Sequence, residues 1–143
     1  DGYDALRLRW PDASADAHRV DRYELYEGHP CWVVESVPKK PVEHTRMTTW
    51  VDTTTSIPWK QEFRDRRGEV FRTFTADKVL EIAAPGGRRI PTIMERTLWA
   101  RGRASYTRLV TEAILYDVGL SDADFVQGRL SVSLDAWYRG ERP

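Results

Sequence analysis

The sequence predicts a mainly β fold, an antiparallel sheet of consecutive hairpins with one or a few short helices. Apolar and polar residues alternate along most of the chain, whereas the spacing typical of amphipathic helices is nearly absent. Turn-forming residues recur between the alternating stretches at hairpin spacing. The 143 residues suit one domain, residues 1–143, and a hydrophobic content of 41% is typical of a globular chain. We therefore expect a single-domain antiparallel meander.

The first half of the chain contains predicted strands separated by turns. The stretch CWVVESV, residues 31–37, is apolar on both faces, so we expect it to lie centrally in the sheet. Proline cannot donate to a sheet ladder, so Pro38 and Pro41 end this strand. Residues 11–17 are a predicted polar loop, and Gly28 lies in a turn. The predicted strands cover residues 3–10, 19–26, 31–37, 45–52 and 58–65.

The second half continues the hairpin pattern and includes the predicted helix. DRRG, residues 65–68, is typical of a hairpin turn, because Gly68 is free to adopt a positive φ. Pro85 and the two glycines after it interrupt the alternation. Ser121 begins an S-x-x-D capping box, which predicts a short helix that ends at Gly128. The predicted strands cover residues 69–75, 76–83, 90–100, 103–116 and 131–138.

Charge and composition exclude several classes of partner. The 22 basic and 22 acidic residues balance to a net charge of zero, which argues against a nucleic-acid partner and against capture by an anionic membrane surface. No apolar run approaches the roughly 20 residues that span a bilayer. Cys31 is the one cysteine, so no intrachain disulfide can form. No signal peptide is visible, and we expect that an N-terminal address has been removed before Asp1.

No motif in the sequence predicts catalysis or metal binding. His18, His29 and His44 lack the spacing of metal ligands and are interpreted as surface residues. Cys31 leads an apolar strand, so we interpret it as a small core residue and not as a nucleophile. A glycine-rich phosphate loop and a serine elbow are both absent from the sequence. We therefore expect no enzymatic activity, no cofactor and no metal site.

Tryptophan is the distinctive feature of the composition. Each tryptophan is most simply a core side chain, and the alternative interpretation is that some line a cavity for an apolar ligand. Alternation places Trp59 and Phe63 on one face of their strand, with charged residues on the other. The same pattern puts Arg96 on a face with Met94 and Leu98. The tryptophans are Trp10, Trp32, Trp50, Trp59, Trp99 and Trp137.

Four stretches of the chain, in this order, resemble the outer-membrane lipoprotein-sorting family, the relatives of LolA and LolB. They are YELYEGHPCWVVESVPKK from Tyr23, TTWVDTTTSIPWKQEFRDRRGEVFRTF from Thr48, PTIMERT from Pro91 and YTRLVTEAILYDVGLSDADF from Tyr106. The LolA/LolB-like resemblance implies a curved antiparallel sheet, an incomplete barrel whose apolar concave face is plugged by helix. It also implies a periplasmic carrier that shields the acyl chains of a lipid or lipoprotein in transit to the outer membrane, without a cofactor and without catalysis.

The resemblance implies partners for loading and for release. It implies an acylated lipid or lipoprotein as cargo, and a membrane transporter or an outer-membrane acceptor as protein partner. Family members usually have a substantial part before the stretch that begins at Tyr23, whereas residues 1–22 precede it here. We therefore expect a chain that lacks the family's N-terminal part. An apolar face left open in this way tends to pair with another copy, so a homodimer is a further candidate.

Alternation, together with the resemblance, selects the candidate ligand-binding residues. A register shift of one residue would move the whole set of a strand to the other face. We assign Trp50, Asp52, Asp65 and Gly68 to structure: Asp65 and Gly68 shape a turn, and Asp52 orders the loop after its strand. The residues expected to face the ligand are Leu25, Trp32, Val34, Met47, Trp59, Phe63, Phe71, Met94, Leu98 and Leu109.

Two alternatives to a carrier remain open from the sequence. An envelope sensor or interaction module would bind a lipid-like ligand or a protein partner without transport. A carrier differs from a sensor because it must release its cargo to an acceptor. An enzyme acting on lipid-like substrates would need a close pair such as Cys31 with His29 or His44 in one pocket.

Overall fold

The structure is a computed structural model that describes residues 15–100 and 105–121, and these residues form one antiparallel sheet. Within them the strand order follows the chain, β1-β2-β3-β4-β5-β6-β7, so each strand pairs with its neighbours in sequence and the sheet is not closed. The prediction of a mainly β, antiparallel fold is confirmed. The strands are β1 Asp16–Tyr26, β2 His29–Pro38, β3 Arg46–Asp52, β4 Pro58–Arg64, β5 Val70–Ala83, β6 Arg89–Ala100 and β7 Ser105–Val110.

Helix is nearly absent from the described part of the chain. A 3-10 turn at Pro85–Gly87 joins β5 to β6, where proline, fixed in φ, is followed by two glycines at positive φ. None of the described helical segments is long and apolar enough to cross a membrane. The predicted strands at residues 3–10 and 131–138 lie outside the described residues, and so does most of the predicted helix that begins at Ser121.

The turn between β4 and β5 has the structure that its sequence predicts. The Asp65 carboxylate accepts hydrogen bonds from the backbone N–H groups of Arg67, at 2.8 Å, and Glu69, at 3.0 Å. The N–H of Gly68 donates to the carbonyl of Asp65 at 3.0 Å, and Gly68 has a φ of 80°. The prediction that Asp65 and Gly68 shape this turn is confirmed. The turn fixes the register between β4 and β5.

Several strand boundaries differ from the prediction: β2 begins at His29, within the predicted turn, and the stretches predicted at 69–75 and 76–83 form the single strand β5. The largest differences are in β1 and β7. β1 begins at Asp16, inside the predicted polar loop, because residues 16–18 continue the ladder opposite β2. β7 ends at Val110, whereas the predicted strand runs to residue 116. After Val110 one more backbone bond forms, from the Thr111 N–H to the Met94 carbonyl at 2.7 Å. Residues 113–116 are then all partly buried in succession, so they lack the alternating exposure of a strand.

The pairing register divides the sheet into two faces, because residues directly opposite each other on antiparallel strands project to the same side. One face, here called the apolar face, contains the cross-strand pairs Met47–Phe63 and Phe74–Leu98, and also Met94. These five side chains are all buried. The opposite face is called the charged face and is defined by Arg19, Glu35, Arg46, Glu62 and Arg64.

Gly68 provides a test of the turn. Replacing Gly68 with Ala should lower the free energy of unfolding by about 1 kcal/mol, because a Cβ disfavours the left-handed backbone region. An added Cβ would meet no heavy atom within 4 Å, so the loss comes from the backbone and not from a clash. Urea unfolding followed by tryptophan fluorescence measures the change. Arg67→Ala, in the same turn but without a positive φ, is the control and should change stability little. An equal loss in both variants would contradict this explanation.

Candidate functional site

The wall of the candidate site is the centre of the apolar face. Met47 on β3 faces Phe63 on β4, and Phe74 on β5 faces Leu98 on β6. Met47 is 1% exposed and Phe74 is 2% exposed, so the middle of this face is dry. Burial of each such side chain stabilises the sheet by about 1.5–3 kcal/mol. The two pairs lie on the same face of four consecutive strands, where Gln61 is opposite Phe74 and Arg72 is opposite Phe63.

Exposed apolar residues extend this wall towards β1. Val20 lies opposite Val34, Tyr23 opposite Trp32, and all four project to the apolar face. The Tyr23 and Trp32 rings meet edge to face with centroids 5.6 Å apart. Leu25 continues the row at 67% exposure, and Trp32 is 48% exposed. A contiguous exposed apolar patch of this kind is typical of a binding surface.

Three pairs of polar groups on or beside the apolar face are hydrogen-bonded to each other. The Gln61 amide donates to the Thr49 hydroxyl at 3.3 Å, and both residues are buried. The imidazole of His18 is hydrogen-bonded to the hydroxyl of buried Ser36 at 2.8 Å. Thr92 is bonded to the hydroxyl of Tyr116 at 2.7 Å. These pairs remove the penalty of burying polar groups, so they are compatible with an apolar ligand beside them.

The structure brings most of the predicted ligand-facing residues onto one face. The register puts Leu25 and Trp32 on the exposed part of the apolar face, while Val34 and Leu109 are partly buried there. Phe71 lies where the β4–β5 register shifts, so it has no residue directly opposite it on β4. The predicted residues on the apolar face are Leu25, Trp32, Val34, Met47, Phe63, Met94, Leu98 and Leu109.

Trp59 lies on the charged face, so the prediction that it shares a face with Phe63 is wrong. The register shifts between Trp50 and Val51, and this β-bulge reverses the alternation at the start of β4. Trp59 therefore packs beside Cys31 and Trp50 in a small cluster under the charged face. A sequence pattern cannot locate such a bulge, because the inserted residue need not be distinctive.

Phe74 was missed by the sequence analysis, although it is a central residue of the wall. Phe71 and Phe74 are three residues apart, so strict alternation assigns them to opposite faces of the sheet. Selecting Phe71 for the apolar face therefore excluded Phe74 from it. The structure places Phe74 opposite Gln61 and Leu98, in the middle of the apolar face. The signal that could have found Phe74 is the pairing of its strand with the strand that contains PTIMERT and continues into Leu98, which follows the same alternation.

Asp52 organises the aromatic cluster on the charged face. The indole N–H of Trp59 donates to its carboxylate at 2.9 Å, and the backbone N–H groups of Thr54 and Thr55 donate at 2.8 and 2.9 Å. Burial by itself would raise the pKa of Asp52, but these hydrogen bonds to the ionised form outweigh it and lower the pKa to about 2. The His29 ring stacks on Trp59 with centroids 3.9 Å apart. The prediction that Asp52 orders the loop after its strand is confirmed.

Trp50 has the structural role predicted for it. It is 6% exposed and packs with Cys31 and Val33. Its indole N–H donates to the carboxylate of Glu24 on β1, which lowers the pKa of that carboxyl group. Burial raises the pKa of the Cys31 thiol, which keeps it protonated and unreactive at neutral pH. These residues therefore form a packed support, not a reactive centre.

An open groove of about 580 Å³ on the charged face is lined mainly by ion pairs. The guanidinium of Arg46 lies 3.2 Å from Glu35, and that of Arg64 lies 2.8 Å from Glu62. Lys60 approaches Glu62 to 2.7 Å. Each of these charges is neutralised by a neighbour on the sheet, and none of the described residues forms a His, Cys, Asp or Glu group that could hold a metal. The groove is unsuited to an acyl chain.

Comparisons with known proteins agree with this fold. A family model described as "Uncharacterized protein" matches residues 3–132. No curated protein matches the chain significantly. Similar solved structures include a domain from Vibrio parahaemolyticus named for outer membrane lipoprotein sorting, with 21% identity and a TM-score of 0.69. A DUF1329 family protein from Desulfovibrio piger has 23% identity and a TM-score of 0.72, and a LolA superfamily protein from Nitrosomonas europaea has 16% and 0.53.

The match covers most of this chain but a smaller share of the similar structures. It includes 78% of this chain and 46% of the Vibrio domain, 88% and 50% for the Desulfovibrio protein, and 86% and 59% for the Nitrosomonas protein. The chain thus spans about half the length of the first two structures. At these identities the likeness concerns the fold.

The lowered pKa of Asp52 predicts a pH dependence of stability. Its folded pKa, about 2, lies below the ordinary value of 3.8. Ionised Asp52 therefore stabilises the fold above pH 4, and this contribution, about 2 kcal/mol, is lost as pH falls towards 2. Urea unfolding at successive pH values should show this loss in the wild type and a smaller loss in Asp52→Asn. Glu81→Gln, at an exposed ion pair, should retain the wild-type profile. Identical profiles for Asp52→Asn and the wild type would contradict the assignment.

Proposed function

We propose that this protein shields acyl chains on its apolar face. The chain belongs to the family whose model matches residues 3–132, and it has the LolA/LolB-like fold that its motifs predict. The cargo is an acylated lipid or lipoprotein, and the location is the periplasm of a bacterial envelope. The protein acts as a carrier and not as an enzyme. A membrane transporter and an outer-membrane acceptor are its proposed partners for loading and release.

The observation that supports this proposal is the separation of the two faces. The middle of the apolar face, around Met47 and Phe74, is already buried without a ligand, and the face continues into an exposed rim at Leu25 and Trp32 that a ligand can reach. A carrier needs such a surface, because cargo must enter from solvent and then lose contact with it. Shielding roughly 14 methylene groups, at about 0.8 kcal/mol each, contributes roughly 10 kcal/mol before entropy and reorganisation costs. This hydrophobic contribution to the binding free energy requires no specific polar contact.

A sensor or interaction module is the second candidate, and a separate aromatic pair favours it. Trp99 and Tyr106 lie opposite each other on the charged face, with ring centroids 4.9 Å apart, and both are exposed. Exposed aromatic residues are common anchors of protein interfaces. A protein that signals to a partner would use this second surface, whereas a simple carrier does not need it. Transfer of a bound acyl probe to acceptor vesicles distinguishes the two, because only a carrier must release its cargo.

Two tryptophans of nearly equal exposure provide a matched test of the acyl-binding face. Trp32 is 48% exposed on the apolar face and Trp99 is 49% exposed on the charged face, and each contacts one tyrosine. Trp32→Glu should weaken binding of a fluorescent fatty acyl probe by roughly tenfold or more, because a charge beside the acyl chain opposes its desolvation. Trp99→Glu should leave the affinity nearly unchanged. The measurement is a fluorescence titration of both variants and the wild type.

Two outcomes of these titrations would contradict the proposed acyl binding on the apolar face. Equal affinities of the two variants would place the probe elsewhere than on the apolar face. A wild-type protein that takes up no probe, and that contains no co-purifying acylated species by native mass spectrometry after isolation from its own envelope, would overturn the acyl-binding function as a whole. Circular dichroism and urea unfolding of each variant exclude loss of the fold as the cause of weak binding.

A further inference from the structure

Arg96 is a basic residue within the apolar face. It lies on β6 between Met94 and Leu98, directly opposite Ala76 on β5 and Leu109 on β7. Its two neighbours in sequence point the other way: Thr97 donates to Asp77 at 2.6 Å, and Glu95 binds Arg108 on the charged face. These contacts fix the alternation of β6 at this point. The guanidinium group of Arg96 therefore belongs to the apolar side of the sheet.

Arg96 differs from the other arginines of the sheet in having no acidic partner. Arg19 and Arg108 bind carboxylates on the charged face, and Arg72, on the apolar face, lies 3.3 Å from Glu43. Among the described residues, no carboxylate forms an ion pair with Arg96. Its Nε is buried and has no hydrogen-bond partner there. The guanidinium group of Arg96 thus has one buried donor without an acceptor, although the residue as a whole is partly exposed.

An unsatisfied buried donor is unfavourable, because it has given up water without gaining an acceptor. Such a group in a native fold needs an explanation, and a ligand that supplies the acceptor is one. The neighbouring position on β5 is Ala76, the smallest side chain in this cross-strand row, so little bulk stands beside Arg96. The guanidinium fork matches the geometry of a carboxylate or phosphate oxygen pair.

Arg96 lies where the polar headgroup of an acyl ligand would be if its acyl chain bound to the apolar face. Leu98 and its partner Phe74 lie one row further along the strands, about 7 Å away at two residues per row. Phe74 and Leu98 are already buried without a ligand, whereas Leu109, directly opposite Arg96, is partly exposed. An acyl chain that packs against Leu109 therefore meets Arg96 with its polar end. Other polar groups on this face, such as Gln61 and Thr49, are already bonded to each other and do not compete for that end.

We propose that Arg96 binds the anionic headgroup of the acyl ligand, so that the preferred cargo is an acyl carboxylate or an acidic lipid and not a neutral one. This inference rests on the proposed acyl-binding function and adds the chemical class of the ligand. Arg96 would be the polar residue that selects among ligands with equal acyl chains. The apolar wall would contribute most of the affinity, and Arg96 would set the specificity.

The test compares two ligands that share a palmitoyl chain and differ in the headgroup: palmitate, which is anionic, and monopalmitoylglycerol, which is neutral. Affinities are measured by displacement of a fluorescent acyl probe. The wild type should prefer palmitate by roughly tenfold, as one charge-assisted contact predicts. Arg96→Gln should lose this preference and retain its affinity for the neutral lipid. Arg96→Lys should retain part of the preference, since it keeps the charge without the planar fork.

Arg108→Gln is the matched control, because Arg108 is on the adjacent strand but on the charged face. It should bind both lipids as the wild type does. Equal weakening of both lipids in Arg96→Gln would overturn the headgroup role, and so would a wild type without any preference. If the wild type binds neither lipid, the acyl-binding function fails as well. Displacement of palmitate by acetate or inorganic phosphate alone would assign the site to a free small anion instead of a lipid headgroup.

The stability of an Arg96→Met variant gives an independent readout. Because the substitution removes a buried donor that has no acceptor, the ligand-free variant should have a Tm at least equal to that of the wild type. The same variant should bind palmitate no better than monopalmitoylglycerol. A large fall in Tm would mean that Arg96 is satisfied by the fold itself, and the proposal would be overturned.

Discussion

The two-residue period of the β-strand is the constraint on which this structure depends. In an unclosed sheet every side chain projects to one of two faces, and the cross-strand register decides which side chains become neighbours. Here the register places Met47 opposite Phe63 and Phe74 opposite Leu98, so apolar residues from four strands project to the same face. The same register gathers the ion pairs on the other side. The candidate binding surface is therefore a consequence of strand pairing, not of any single motif.

Local irregularities of the ladder divide the aromatic residues between two roles. The bulge near Trp50 turns Trp59 to the charged face, where Asp52 holds its indole N–H and two backbone N–H groups of the following loop. That cluster is a packed support with satisfied hydrogen bonds. Tyr23 and Trp32 remain on the apolar face and are exposed. Aromatic content by itself thus says little about binding, because burial and hydrogen bonding separate the supporting rings from the available ones.

Stability and function oppose each other at one point of the apolar face. The polar pairs Gln61–Thr49 and His18–Ser36 are bonded within the face and help the sheet to pack. Arg96 has a buried Nε without a partner among the described residues, which is unfavourable for the fold. Sites that break a local rule without an evident structural gain are where function is expected. A headgroup that fills this place would couple ligand binding to stability.

The sequence by itself determined the fold class, the antiparallel hairpin order, the turn at Gly68 and the structural role of Asp52, because alternation and turn chemistry act over a few residues. It also separated most apolar residues from most charged ones along each strand. The tertiary structure decided the rest: which residues pair across strands, that Trp59 leaves the apolar face and Phe74 joins it, and that β7 ends at Val110. β-Bulges and the pairing of distant strands determine these features, and neither can be recognised from a short stretch of sequence.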